Sequence, residues 1–216
     1  MLEFNNVTKI YKGKPVLKNI SFEVEAGDFL LLSGPASSGK STILQLAYMD
    51  NFPTKGIVRV MEFYSNKIRS RHLPILRRKI GFISQEEKFL ENKTVFINLN
   101  YVLKLTKKRD RNIIGGILEK LGLHDKSNFY PFELSSSERQ KLKIAQALVK
   151  SPLLLLADEP LNNLDDRESE EVLSLLKDTN TTGTTVVLAT SRENIYQKYS
   201  TKIIYIENGE IKATTL

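Results

Sequence analysis

The sequence predicts an α/β fold, a doubly wound and mainly parallel sheet with an antiparallel β edge and a helical insert, and three observations carry that prediction. A continuous apolar run, FLLLS at 29–33, precedes a loop and a helix-like segment from Ser41 to Tyr48, the pattern of a strand buried on both faces that feeds a crossover helix. From Thr94 to Val149 the apolar spacing turns helical. After Pro152, strand-like and helix-like segments alternate again, which is the signature of parallel pairing through crossovers.

Taken in order, LEFNNVTKIY and VLKNISFEV alternate apolar and polar residues and predict antiparallel strands with one wet face. VFINLNYVLKL, NIIGGILEKLG and ERQKLKIAQALV have helical spacing and are broken by Gly, Pro or Ser. LLLLA, a helix from about Arg167 to Lys177, TVVLAT, a short helix, and then KIIYI and EIKAT about the turn Asn208-Gly209 complete the chain. The organisation is one domain, 1–216, with 1–90 and 151–216 as core and 91–150 as a helical subdomain. The basic stretches RSRHLPILRRK and KLTKKRDR read as solvated faces rather than binding sites.

Composition narrows the function. The 216 residues are 41% hydrophobic, enough to bury a substantial core. Lys plus Arg is 32 against 25 for Asp plus Glu, a net charge of +7 that suits a polyanionic ligand, an anionic membrane surface or a nucleic acid without choosing among them. There are no cysteines, which excludes disulfides and thiolate metal sites. No apolar run approaches the roughly twenty residues that cross a bilayer, and the first residues lack a signal-peptide core. Any association with a membrane is expected to be peripheral.

GPASSGKS, Gly34 to Ser41, has two glycines, Lys and Ser at the offsets of a phosphate loop, between a buried strand and a helix start. With Gly near 7% of average usage, a chance match is expected in roughly one chain of this length per hundred. The loop residues Gly34, Pro35, Ala36, Ser37, Ser38, Gly39, Lys40, Ser41 and Thr42 are therefore expected to bind phosphate oxygens. The glycines let backbone N–H groups turn inward, the helix start adds its positive end, Lys40 adds a point charge, and Ser41 can ligate Mg2+. LLLLADEP places Asp158 and Glu159 at the carboxyl end of an apolar strand, where open α/β sheets bind ligands. Asp158 can hold the metal, directly or through water, and Glu159 can accept a proton from an attacking water. Alone, such a pair is more often a helix cap; beside a phosphate loop the odds reverse.

With these motifs in place, the chain resembles the nucleotide-binding subunit of an ABC transporter nearly end to end, a P-loop NTPase of ABC type whose helical insert carries the signature segment. The resemblance implies that Tyr11 stacks on adenine. It also implies that Gln85, in IGFISQEEKFL, reaches metal and attacking water, and that NNLDD around Asp165 crosses a dimer interface. Without the resemblance, Tyr11 reads as packing and Asp165 as a helix N-cap. LPILRRKIGFISQ, LADEPLNNLDD and VVLAT are most similar to the FtsE type of cell-division ATPase, with lipoprotein-release and macrolide-efflux ATPases as near relatives. That implies an ATP-dependent dimer, homo or hetero, at the cytoplasmic face of the cell membrane. It also implies an FtsX-like or other permease subunit docking near Glu86 to Leu90. Alternatives are an exporter or lipoprotein-release subunit, or an ATP-dependent clamp with little hydrolysis. No nucleic-acid partner is expected.

Two segments depart from the family. Its signature, Leu-Ser-Gly-Gly-Gln, reads Leu134, Ser135, Ser136, Ser137, Glu138. Ser135 and Ser137 are still expected to meet nucleotide across the dimer, yet β-carbons at 136 and 137 stand where the backbone must approach phosphate. Glu138 brings a carboxylate that Arg139 or Lys141 must screen, and Ser135 with Glu138 has capping-box spacing. The family's switch His is replaced by Ser191 after Thr190, too short for the same reach to the γ-phosphate. Hydrolysis is therefore expected to be weak while Mg-ATP binding is retained.

Overall fold

The computed structural model describes residues 1–106, 112–192 and 202–215. The short helix expected after TVVLAT falls on 193–200, outside the described residues, and so does the 107–111 part of KLTKKRDR.

Among the described residues ten strands form two sheets. The smaller holds β1 (Leu2–Tyr11), β2 (Lys14–Val24), β4 (Lys55–Val60) and β5 (Phe63–Tyr64) in the order β2-β1-β4-β5, antiparallel throughout. The larger has the order β10-β9-β3-β8-β7-β6, built from β3 (Phe29–Ser33), β6 (Ile80–Ile83), β7 (Leu154–Asp158), β8 (Thr185–Thr190), β9 (Lys202–Glu207) and β10 (Glu210–Thr215). Its strands pair in parallel except for the β9–β10 hairpin at one edge. The alternating strands of the opening segment thus make a sheet of their own. The antiparallel edge of the main sheet is the hairpin about Asn208-Gly209.

Successive residues of a strand point to opposite faces, and the apolar runs of the main sheet fill two cores. Leu30, Leu32, Leu154, Leu156, Val187 and Ala189 pack with the small sheet and with α1 (Lys40–Ala47) and α2 (Leu73–Arg78). Leu31, Leu155, Ala157, Val186 and Leu188 pack on the other face with α3 (Val95–Leu105), α4 (Asn112–Lys120), α5 (Ser136–Leu148) and α6 (Asp166–Thr181). Burial on both faces explains why these strands read as unbroken apolar runs. Helices α3, α4 and α5 lie between β6 and β7 in the chain, where the helical spacing starts and stops.

The carboxyl ends of β3, β6, β7 and β8 stand side by side in the sheet. The phosphate loop follows β3, Gln85 lies two residues past β6, Asp158 ends β7 with Glu159 next, and Ser191 follows β8. No helix among the described residues is long and apolar enough to cross a membrane.

Candidate nucleotide site

The loop between β3 and α1 owes its shape to two glycines. Gly34 has φ 138°, and a β-carbon there would run into the Ile206 carbonyl. At Gly39, φ 110°, it would lie 2.6 Å from Leu17 Cδ2. Gly39 is also the N-cap of α1 and supplies no side-chain cap, so the positive end of the helix opens onto the loop. Lys40 is buried, and its Nζ donates to the carbonyls of Gly34 at 2.7 Å and Pro35 at 2.9 Å. Burial lowers its pKa, and Glu159 and Asp158 oppose that shift. Ser38 Oγ is buried without a hydrogen-bond partner. Such an orphan polar atom, beside an ammonium resting on carbonyls, fits a loop whose remaining partners are ligand oxygens.

Asp158 ends β7 and is 5% exposed. Ser41 Oγ donates to its Oδ1 at 3.0 Å, and Gln85 Nε2 donates to Ser41 Oγ at 3.2 Å. Burial pushes the Asp158 carboxyl upward and neighbouring Glu159 adds to the rise, against hydrogen bonds from Ser41 and Gln85 and the charge of Lys40. A small hard cation suits this donor set. It prefers oxygen ligands, and it would relieve a carboxylate that burial disfavours. Among the described residues no three His, Asp or Glu cluster as a self-sufficient metal cage, so a cation held here would draw its remaining ligands from phosphate and water, as Mg2+ accepts. Glu159 leaves the strand at φ 47°, a strained region for this residue type. Its N–H donates to the Ala189 carbonyl of β8 at 2.9 Å.

Most of these groups border one cleft of about 550 Å3, within the usual range for small-molecule sites, while Asp158 is buried outside the lining and reaches it through Ser41. Ala36, Ser37, Gly39, Lys40, Ser41 and Thr42 line it, joined by Gln85, Glu159 and Ser191. Gly34, Pro35 and Ser38 shape the loop behind that lining. Asn162 and Val16 also line the cleft and were not foreseen. Asn162 sits inside the NNLDD segment and could have been suspected from it, whereas Val16 comes from β2 and only the tertiary fold brings it there.

The other expected contacts lie outside the lining. Tyr11 is 36% exposed, accepts a hydrogen bond at its hydroxyl from Asn51 Nδ2 at 2.8 Å, and carries Lys9 Nζ 4.7 Å from its ring centre. Ser135 caps α5: its hydroxyl accepts from the Glu138 N–H, and the Glu138 carboxylate accepts from the Ser135 N–H. Ser137 Oγ donates to Glu168 at 3.2 Å. Asp165 caps α6 in a second capping box with Glu168. Lys126, at 3.3 Å, pairs with Glu138; Arg139 and Lys141 are engaged elsewhere, Lys141 with Glu168.

Arg139 clasps the segment that follows Gln85. It reaches Glu87 at 2.6 Å, Glu91 at 2.7 Å and the Pro131 carbonyl at 2.7 Å, and its guanidinium lies over the Phe89 ring. Buried Asn98 exchanges hydrogen bonds with the backbone of Leu90. Lys143 donates to the Gln85 carbonyl at 3.2 Å.

The family model described as ABC transporter matches residues 17–162. The chain is 40% identical over 216 residues to the cell division ATP-binding protein FtsE of Mycobacterium tuberculosis, spanning 98% of this chain and 94% of the relative. It is 34% identical over 215 residues to FtsE of Escherichia coli strain K12, spanning 98% and 97%. The dimeric post-hydrolysis structure of the ATP-binding cassette MJ0796 bound to ADP and Pi superposes with a TM-score of 0.92 at 32% identity, spanning 100% of this chain and 98% of that one. Likeness at this level runs through both sheets and the helices between them, and the chain belongs to the ABC transporter family as an FtsE-like ATP-binding subunit, an ABC-type ATPase.

Proposed function

We propose that the chain is the Mg-ATP-binding subunit of a peripheral complex at the cytoplasmic face of the cell membrane, working in cell division with an FtsX-like partner as a slowly hydrolysing switch. Identity of 34–40% to FtsE proteins over 98% of the chain carries this reading. In it, 1–90 and 151–216 form the nucleotide-binding core, and 91–150 form the helical subdomain that presents the signature.

In this proposal Lys40 exchanges the Gly34 and Pro35 carbonyls for phosphate oxygens, and the N-terminus of α1 receives the negative charge. Ser41, Asp158 and Gln85 would hold Mg2+, which when bound would neutralise charge building on the phosphates. Gln85 orients a water, and Glu159 takes its proton as the water oxygen bonds to the γ-phosphorus and the bond to the bridging oxygen breaks. Tyr11 stacks on the adenine, its hydroxyl fixed by Asn51 and one face shared with Lys9. Ser135, Ser137 and Asp165 act from a second subunit across the dimer. Ser191 faces the γ-phosphate but is too short to hold the water as an imidazole does. The carboxylate therefore works with less help, and turnover is slow.

Mg-ATP binding measured beside hydrolysis tests the switch. Tight binding is expected with turnover well below that of a relative that retains the signature glycines and the switch His, and Glu159→Gln is expected to abolish the remainder. Turnover equal to that relative's overturns slow hydrolysis. Docking is tested at Leu90, which is 41% exposed, rather than at Phe89, which packs against the core. Leu90→Asp is expected to lose the membrane subunit on copurification while binding ATP normally, and unchanged recovery counts against docking there.

A further inference from the structure

Arg192 directly follows Ser191. Its Nη1 donates to Ser169 Oγ on α6 at 3.0 Å, and its Nη2 donates to the carbonyls of Leu161 at 2.9 Å and Leu164 at 3.3 Å. From α5, Gln140, 1% exposed, donates its Nε2 to the Pro160 carbonyl at 2.7 Å. These two side chains grip the connection between β7 and α6, which places Glu159 and Asn162 on the cleft.

That connection needs holding. Glu159 and Asn163 have φ of 47° and 63°. Asn visits this region readily, but Glu does not, and a residue kept there depends on its surroundings to over-determine it. A guanidinium can bond several acceptors at once through its rigid fork, whereas an ammonium is a single point donor on a flexible stem. With three bonds to two elements, Arg192 ties the chain after Ser191 to the backbone that aims the acidic pair.

We infer that Arg192 is a positioning residue for ATP hydrolysis: it fixes the 160–164 backbone and through it the Glu159 carboxylate, with Gln140 gripping the same backbone from the signature helix. In this chain the switch segment thus bears on the reaction through the loop it holds, since Ser191 is too short to do so by contact. The inference rests on Glu159 acting as the base.

Full-length wild type, Arg192→Ala, Arg192→Lys and Glu159→Gln are compared in single-turnover and steady-state hydrolysis of Mg-ATP. Misplacing a reacting group is costly while phosphate contacts are untouched, so Arg192→Ala is expected to lower kcat on the order of tenfold or more. The KM for ATP is expected to stay within about twofold. Arg192→Lys, able to fill part of the set, is expected to recover part of the rate, and it carries the test alone if the alanine variant does not fold. A kcat unchanged in both Arg192 variants, or a KM rise that accounts for the loss, overturns the positioning role. If Glu159→Gln leaves kcat intact, the base assignment itself fails. If Glu159→Gln abolishes hydrolysis while the Arg192 variants turn over normally, only the role of Arg192 is lost.

Discussion

Ser135 accepts a hydrogen bond from the Glu138 N–H at 3.2 Å and returns one from its own N–H at 2.8 Å, so its hydroxyl serves helix α5 before any nucleotide arrives. Removing an N-cap oxygen costs about 1 kcal/mol. In a chain this long that is about 2–4 °C in Tm, and Ser135→Ala is expected to melt lower by that amount in circular dichroism. Asp158 predicts the opposite sign. Its carboxyl is raised by burial, so the stability it contributes is full below the ordinary carboxylate pKa and is lost as pH rises through the raised value. Asp158→Asn should therefore melt above wild type near neutral pH in the absence of nucleotide, with the gap closing toward acid pH, while Mg-ATP hydrolysis is lost. A lower Tm at neutral pH would refute the claim that the ionised carboxylate is held against its burial. The placement of these residues was legible because the phosphate-loop pattern is local in sequence: Gly34, Lys40 and Ser41 follow from spacing, and Asp158 and Glu159 from the end of an apolar strand. Arg192, Gln140 and Arg139 were not, because each acts on a backbone brought to it by the fold and has no motif of its own.

Helix α5 begins with Ser136 and Ser137 in its first turn, and its side chains bind to three other segments: Lys126 with Glu138, Glu168 with Ser137 and Lys141, and Glu87 with Arg139. The serines thus cost the helix nothing locally and serve it as well as glycines would, or better. Ser136→Gly with Ser137→Gly is expected to lower stability by roughly 0.5 kcal/mol per site through backbone entropy. Opening the backbone to phosphate, the same pair is expected to raise ATP-dependent dimerisation and turnover, read by light scattering and phosphate release. Unchanged dimerisation would mean that the β-carbons do not hold the phosphate off. At this scale the sequence was informative wherever a pattern had a single cause. Runs buried on both faces gave β3, β7 and β8, and helical spacing gave α3 to α5. The separate four-stranded sheet was not legible, since LEFNNVTKIY shows only that one face is wet and its partner β4 lies over forty residues away. The bounds of α6 extend beyond the apolar stripe, to Asp166–Thr181, because the Asp165 capping box sets its start.

For the whole molecule, the residues expected to touch nucleotide do not all line the cleft: Tyr11 lies outside the lining on β1, and Ser135, Ser137 and Asp165 are helix caps or cap neighbours outside it too. On the proposed function, Ser135, Ser137 and Asp165 reach ATP when a second subunit brings its α5 to the first subunit's cleft. In a homodimer each copy would carry a net charge of +7, so closure would be opposed by like charge until the nucleotide polyanion lay between them. Glu159→Gln protein should therefore be monomeric without nucleotide and dimeric with Mg-ATP in size-exclusion chromatography with light scattering. Substitution at Ser135 separates the cap from the contact. Asp caps a helix as well as Ser does, so Ser135→Asp in the Glu159→Gln background should keep the parent Tm. If residue 135 meets the γ-phosphate across the interface as proposed, the new carboxylate adds a like charge there, and two like charges about 4 Å apart repel by about 1 kcal/mol in water and about 4 kcal/mol near a protein surface, so the dimer should be lost. A Ser135→Asp protein that still dimerises with Mg-ATP would show that this hydroxyl only caps its helix, and that the serine signature has left the composite site.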